Sequence, residues 1–86
     1  MITKEYIVKD PLGMHARPAT SLVKLGKNFK SVINLRKGDK AVKINSLLNI
    51  LSLTIKGGET VSVVIEGEDE TEAAEAINLF FTEQLK

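Results

Sequence analysis

The hydrophobic period of this sequence switches repeatedly between the two-residue spacing of strands and the 3.6-residue spacing of helices, and the switches fall at breaks rich in glycine, proline, asparagine or aspartate. Thr60 to Glu66 shows the first spacing most plainly, with Val61, Val63 and Ile65 alternating against Ser62, Val64 and Glu66. Ala16 to about Lys27 shows the second. There Ala19, Leu22, Val23 and Gly26 form one stripe and Arg17, Thr20, Lys24 and Lys27 the opposite one, which predicts an amphipathic helix with a basic outer face and Pro18 in its first turn. Ile2 to Val8 predicts a strand ending at Asp10-Pro11-Leu12-Gly13. Ser31 to Lys37 and Lys40 to Ile44 predict a hairpin turning at Gly38-Asp39. Asn45 or Ser46 can cap a short helix from Leu47 to about Leu53. After Gly67 a last helix buries Ala73, Ala74, Ile77, Phe80 and Phe81, with Asp69 and Glu72 spaced as a capping box.

The resulting order, β-α-β-β-α-β-α, predicts an α+β open-faced sandwich: a four-stranded antiparallel sheet with three helices on one face. At 86 residues the chain is expected to be a single domain over 1–86, burying roughly 60–65% of its unfolded surface. Such a domain has no depth for an enclosed active site. The absence of cysteine and the single histidine exclude disulfides, thiolate chemistry and multi-histidine metal sites, so neither metal nor cofactor is expected. No stretch is long and apolar enough to span a bilayer, and the first residues carry no apolar targeting core, which together predict a cytoplasmic location without membrane insertion. The net charge of +1 conceals a polarised chain: residues 1–58 hold eleven Lys/Arg against three acids, and residues 59–86 hold eight acids against Lys86 alone.

Chemistry is concentrated in Gly13-Met14-His15-Ala16-Arg17-Pro18-Ala19. His15 stands where the first helix begins, and the free first-turn N–H groups of Ala16 and Arg17, the helix dipole and the guanidinium of Arg17 together suit an anion such as a phosphoryl group. These positive surroundings disfavour a second positive charge on the imidazole and leave a neutral, nucleophilic nitrogen. The plainer alternative is that His15 is an ordinary N-cap and Arg17 a solvated cation. A nucleic-acid-binding module is the rival from another class, suggested by the basic first half. It lacks an aromatic stacking pattern, and the acidic last helix opposes it. A hydrolase would have only His15 and unpartnered serines behind it.

The same seven residues resemble the active-site signature of the HPr family of histidine-containing phosphocarriers in the phosphoenolpyruvate-dependent sugar phosphotransferase system. Asn45-Ser46-Leu47-Leu48-Asn49-Ile50-Leu51-Ser52-Leu53 resembles that family's regulatory serine region, with Asn45 and Asn49 departing from its usual pattern. The resemblance spans essentially the whole chain. It implies a carrier, not an enzyme, that takes a phosphoryl group from phospho-enzyme I on Nδ1 of His15, with Arg17 contacting the group, and passes it to enzyme IIA domains of sugar permeases. It also implies phosphorylation of Ser46 by a dedicated kinase/phosphorylase, the product serving a catabolite-control transcription factor in catabolite repression. Partners are expected to dock over Ala16, Thr20, Leu47, Leu48 and Leu51, with Lys24, Lys27 and Lys40 steering from the rim. One or two of the three leucines should be exposed, because so short a helix cannot bury all of them. A paralogue confined to regulation, as in nitrogen control, would share the His15 chemistry with a different enzyme I. Nothing in the sequence calls for more than a monomer or for direct nucleic-acid contact.

Overall fold

The computed structural model describes residues 1–85 and has the expected order: β1 (Ile2–Ile7), α1 (Ala16–Gly26), β2 (Val32–Lys37), β3 (Lys40–Lys43), α2 (Leu47–Leu51), β4 (Thr60–Glu66) and α3 (Glu70–Leu79). The four strands form one antiparallel sheet in the order β1-β4-β2-β3. β4 lies between β1 and β2, with Ile2 opposite Ile65 on one side and Ile33 opposite Ile65 on the other. The strand alternation holds. Val61, Val63 and Ile65 are buried together with Ile33 and Leu35, and the helices cover this face with Ala19, Leu22, Ile50, Ala73, Ile77 and Phe80.

The hairpin turns where expected, with Lys37 paired to Lys40 and Gly38 at φ +60°, a left-handed value that favours glycine in a two-residue loop. Several boundaries differ by a residue or two. β3 ends at Lys43, although the Ile44 N–H still bonds the Ile33 carbonyl at 3.1 Å. α2 ends at Leu51 instead of Leu53 because the following N–H groups of Leu53 and Thr54 bond back three residues, to Ile50 and Leu51, tightening the chain out of the helix.

The capping box expected at Asp69 and Glu72 does not form. Asp69 occupies the N-cap of α3, but its carboxylate accepts from the Lys30 N–H at 2.8 Å, the Ser31 N–H at 2.9 Å and the Ser31 hydroxyl. Three donors presented by the chain entering β2 outweigh the single N–H that a cap would satisfy, so the side chain joins two elements instead of closing its own helix. α3 then widens into a π-type turn over Phe80–Gln84, where the Leu85 N–H bonds the Phe80 carbonyl at 3.0 Å, and Phe80, Phe81 and Leu85 are all buried. Phe81 stacks on Tyr6 with ring centroids 4.5 Å apart, which ties this end to β1.

Candidate functional site

The loop between β1 and α1 is built by short backbone contacts. Asp10 accepts the Leu12 N–H on Oδ1 at 2.9 Å and the Gly13 N–H on its carbonyl at 2.8 Å, an Asx-type turn that reverses the chain. Gly13 follows at φ +69°, so close to the next loop that a Cβ there would lie 2.2 Å from the Ile55 carbonyl oxygen. That same carbonyl accepts the Met14 N–H at 3.0 Å, and Met14 is buried as the loop's apolar anchor. His15 therefore leaves a loop pinned on both sides and enters α1 as its N-cap.

The ring does not act as a cap. His15 has extended backbone (φ −86°, ψ −177°) and makes no side-chain bond to the helix N–H groups, while its carbonyl accepts the first helical bond, from Ala19, at 3.0 Å. The first-turn donors Ala16 and Arg17 thus keep N–H groups that the helix cannot satisfy, next to a half-exposed imidazole. The Arg17 side chain is exposed and makes no hydrogen bond or ion pair among the described residues. His15 and Arg17 share a shallow surface depression with Asp10, Leu12, Pro18, Ser21 and Phe80.

One feature departs from the wholly positive surroundings expected around the ring. Asp10 Oδ2 lies 3.4 Å from His15 Nε2, with 35% of the imidazole and 24% of the carboxylate side chain exposed. An anion beside Nε2 favours the tautomer that carries its proton there, which leaves the Nδ1 lone pair free. Asp10, Leu12, Ser21 and Phe80 are site residues that sequence reasoning missed. The turn at Asp10 before Pro11 was legible in the sequence but its approach to the ring was not, and Phe80 reaches the depression only through the tertiary fold.

The remaining predicted residues spread along α1 and α2. Ala16, Lys24 and Lys27 are exposed, and Thr20 is half-buried with its hydroxyl donating to the Ala16 carbonyl at 2.7 Å. Lys27, C-terminal to α1, lies about 16–18 Å along the helix axis from His15. It lines a separate groove with Val23, Phe29 and Lys43. Ser46 caps α2, its Oγ accepting the Asn49 N–H at 3.4 Å, and α2 packs against α1. Leu48 is 77% exposed while Leu47 and Leu51 pack partly into the core, so one of the three leucines is openly displayed. Among the described residues no three His, Asp or Glu side chains converge as a metal site, and no helix is long and apolar enough to cross a membrane.

Comparison with known proteins agrees with this geometry. Residues 2–83 match the family model described as PTS HPr component phosphorylation site. A phosphocarrier protein HPr from Lysinibacillus sphaericus is 42% identical over 83 residues, covering 96% of this chain and 94% of the relative. The HPr-like protein Crh from Halalkalibacterium halodurans is 37% identical over 84 residues, covering 98% and 100%. The solved histidine-containing phosphocarrier protein of Mycoplasma superposes with a TM-score of 0.93 at 28% identity, covering 98% of this chain and 96% of that one. With the fold, the pinned histidine loop and these matches in agreement, the chain belongs to the HPr family, whose members carry a phosphoryl group and are not catalysts in their own right.

Proposed function

We propose that this chain accepts a phosphoryl group on Nδ1 of His15 from phospho-enzyme I and delivers it to enzyme IIA domains of sugar permeases. The observation that carries the reading is the His15 ring left free of capping: a half-exposed imidazole at a helix N-terminus whose first-turn N–H groups it does not satisfy, with Asp10 at Nε2. The Nδ1 lone pair attacks phosphorus in line as the bond to the donor breaks, and the donor leaves with that electron pair. Nε2 keeps its proton throughout. The positive charge that forms on the ring faces Asp10, while the N–H groups of Ala16 and Arg17 and the Arg17 guanidinium stabilise the phosphoryl oxygens. Transfer to the acceptor reverses the same step, so no group on the carrier is consumed.

Docking falls to the surface of α1 and α2: exposed Ala16 and Leu48, with the half-buried Thr20, Leu47 and Leu51 beside them and Lys24, Lys27 and Lys40 at the rim. The setting that fits such a relay is the cytoplasm. Ser46 supports a second, regulatory role. Its hydroxyl is at the start of α2 and only half-buried. A phosphate there would add a charge of about −2 beside the docking face and oppose an acidic partner. The similarity to Crh, whose Bacillus subtilis form is described as a catabolite repression HPr, favours this link to catabolite repression, and the family resemblance supplies a kinase/phosphorylase and a catabolite-control transcription factor as the partners.

Incubation with enzyme I, magnesium and phosphoenolpyruvate should yield acid-labile phosphate on the wild type and none on His15→Ala. ATP and the serine kinase should yield acid-stable phosphate that Ser46→Ala lacks. A wild type labelled only in the second reaction would leave the regulatory role and remove the relay.

A further inference from the structure

The loop that supports His15 from below is itself held by a charge clamp. Lys37, at the end of β2, donates from Nζ to the Thr54 carbonyl at 2.7 Å and lies 2.9 Å from Glu59 Oε1. Glu59 Oε1 also accepts the Lys56 N–H at 2.6 Å, so one ammonium and one carboxylate close the segment from Thr54 to Glu59 from both ends. The neighbouring backbone is locked to the residue that follows β1: the Val8 N–H bonds the Glu59 carbonyl at 2.9 Å and the Gly58 N–H bonds the Val8 carbonyl at 2.7 Å.

Inside this segment Thr54 has φ +50°, the only left-handed non-glycine among the described residues, and a β-branched side chain is strained there. The Lys37 ammonium grips the carbonyl of that strained residue. The next residue, Ile55, presents the carbonyl that accepts the Met14 N–H and crowds Gly13, and Gly57 sits so close to the Asp10 and Pro11 carbonyls that its Cβ would lie 2.7 Å from the first. Any relaxation of Thr54 therefore moves the surface on which Asp10, Gly13 and Met14 rest.

We infer that Lys37 and Glu59 are positioning residues for the phosphoryl-accepting imidazole, holding Thr54 in its strained conformation so that the Ile55 carbonyl fixes the His15 loop. The inference rests on the carrier reading, but the imidazole can be observed without any transfer. Neither residue is among those assigned to docking, although Lys37 pairs with Lys40 across the hairpin, so the split between turnover and KM separates an effect on the imidazole from one on partner binding.

The test is Lys37→Met, with Lys37→Arg and Thr54→Gly as companions. In unphosphorylated protein, nitrogen NMR should show shifted Nδ1 and Nε2 signals for His15 in Lys37→Met. Turnover in transfer from enzyme I should fall about tenfold with KM unchanged, the size expected from a small misplacement of a reacting group. Lys37→Arg should restore both readouts. Thr54→Gly should suppress the Lys37→Met defect, because glycine holds a positive φ without the clamp. Wild-type imidazole signals and turnover in Lys37→Met would overturn the inference, as would an undiminished defect in the Thr54→Gly background. A wild type that takes no phosphoryl group would instead defeat the carrier reading, with the imidazole signals still deciding the clamp.

Discussion

At position 15 the chain uses an N-cap residue that declines to cap. A serine or aspartate there would satisfy the first-turn N–H groups and gain about 1 kcal/mol of helix stability. His15 leaves them open, and the arrangement is held by its neighbours. Gly13 is the most exacting of these. With φ +69° and the Ile55 oxygen in the space of a Cβ, Gly13→Ala should lower stability by about 2–4 kcal/mol, read as a fall in the urea midpoint, and should slow transfer as well. His15 and Arg17 were legible in the sequence because a helix start is marked by local pattern. Asp10 was not read as a site residue, since its approach to Nε2 closes through the bend from Leu12 to Met14, and that path depends on Gly13 seating against a loop some forty residues away.

Between elements, the decisive contact is the one that replaced a predicted cap. Asp69 joins α3 to the start of β2, and the Ser31 hydroxyl and the Lys30 and Ser31 N–H groups hold its carboxyl below the ordinary aspartate range. A carboxyl lowered on folding adds stability at pH values above its unfolded value of about 3.9, and that stability is lost as pH falls through the folded value. Asp69→Asn should therefore have a lower urea midpoint than wild type at pH 7, with the gap closing toward pH 3. A constant gap would mean that the carboxylate charge contributes nothing. Element order and strand parity were readable because hydrophobic period is a local property. The Asp69 link was not, because a residue that can cap its own helix carries the same spacing when it bonds a distant strand. The shortened α2 and the π-type turn after Leu79 likewise depend on bonds fixed by packing.

Across the whole molecule, the charge asymmetry of the two sequence segments becomes a lateral separation within the helical layer. α3, with its acids, packs over β1 and β4, α2 packs by β3, and α1 lies between them carrying Arg17, Lys24 and Lys27. An acidic partner is thus drawn toward the α1 and α2 side and repelled from the α3 side. Raising ionic strength about tenfold should raise KM for transfer from enzyme I about fivefold or more, with little change in the urea midpoint. The histidine sits in a shallow surface depression, a position from which a single imidazole can be offered to successive larger proteins, and the central claim is that this imidazole reacts through Nδ1. Phosphorus–nitrogen NMR of protein labelled with nitrogen-15 histidine, after reaction with enzyme I and phosphoenolpyruvate, tests it directly. A phosphorus coupling to Nδ1, with the proton retained on Nε2 beside Asp10, is the predicted result. Coupling to Nε2, or phosphate bound with no phosphorus–nitrogen coupling at His15, would contradict it.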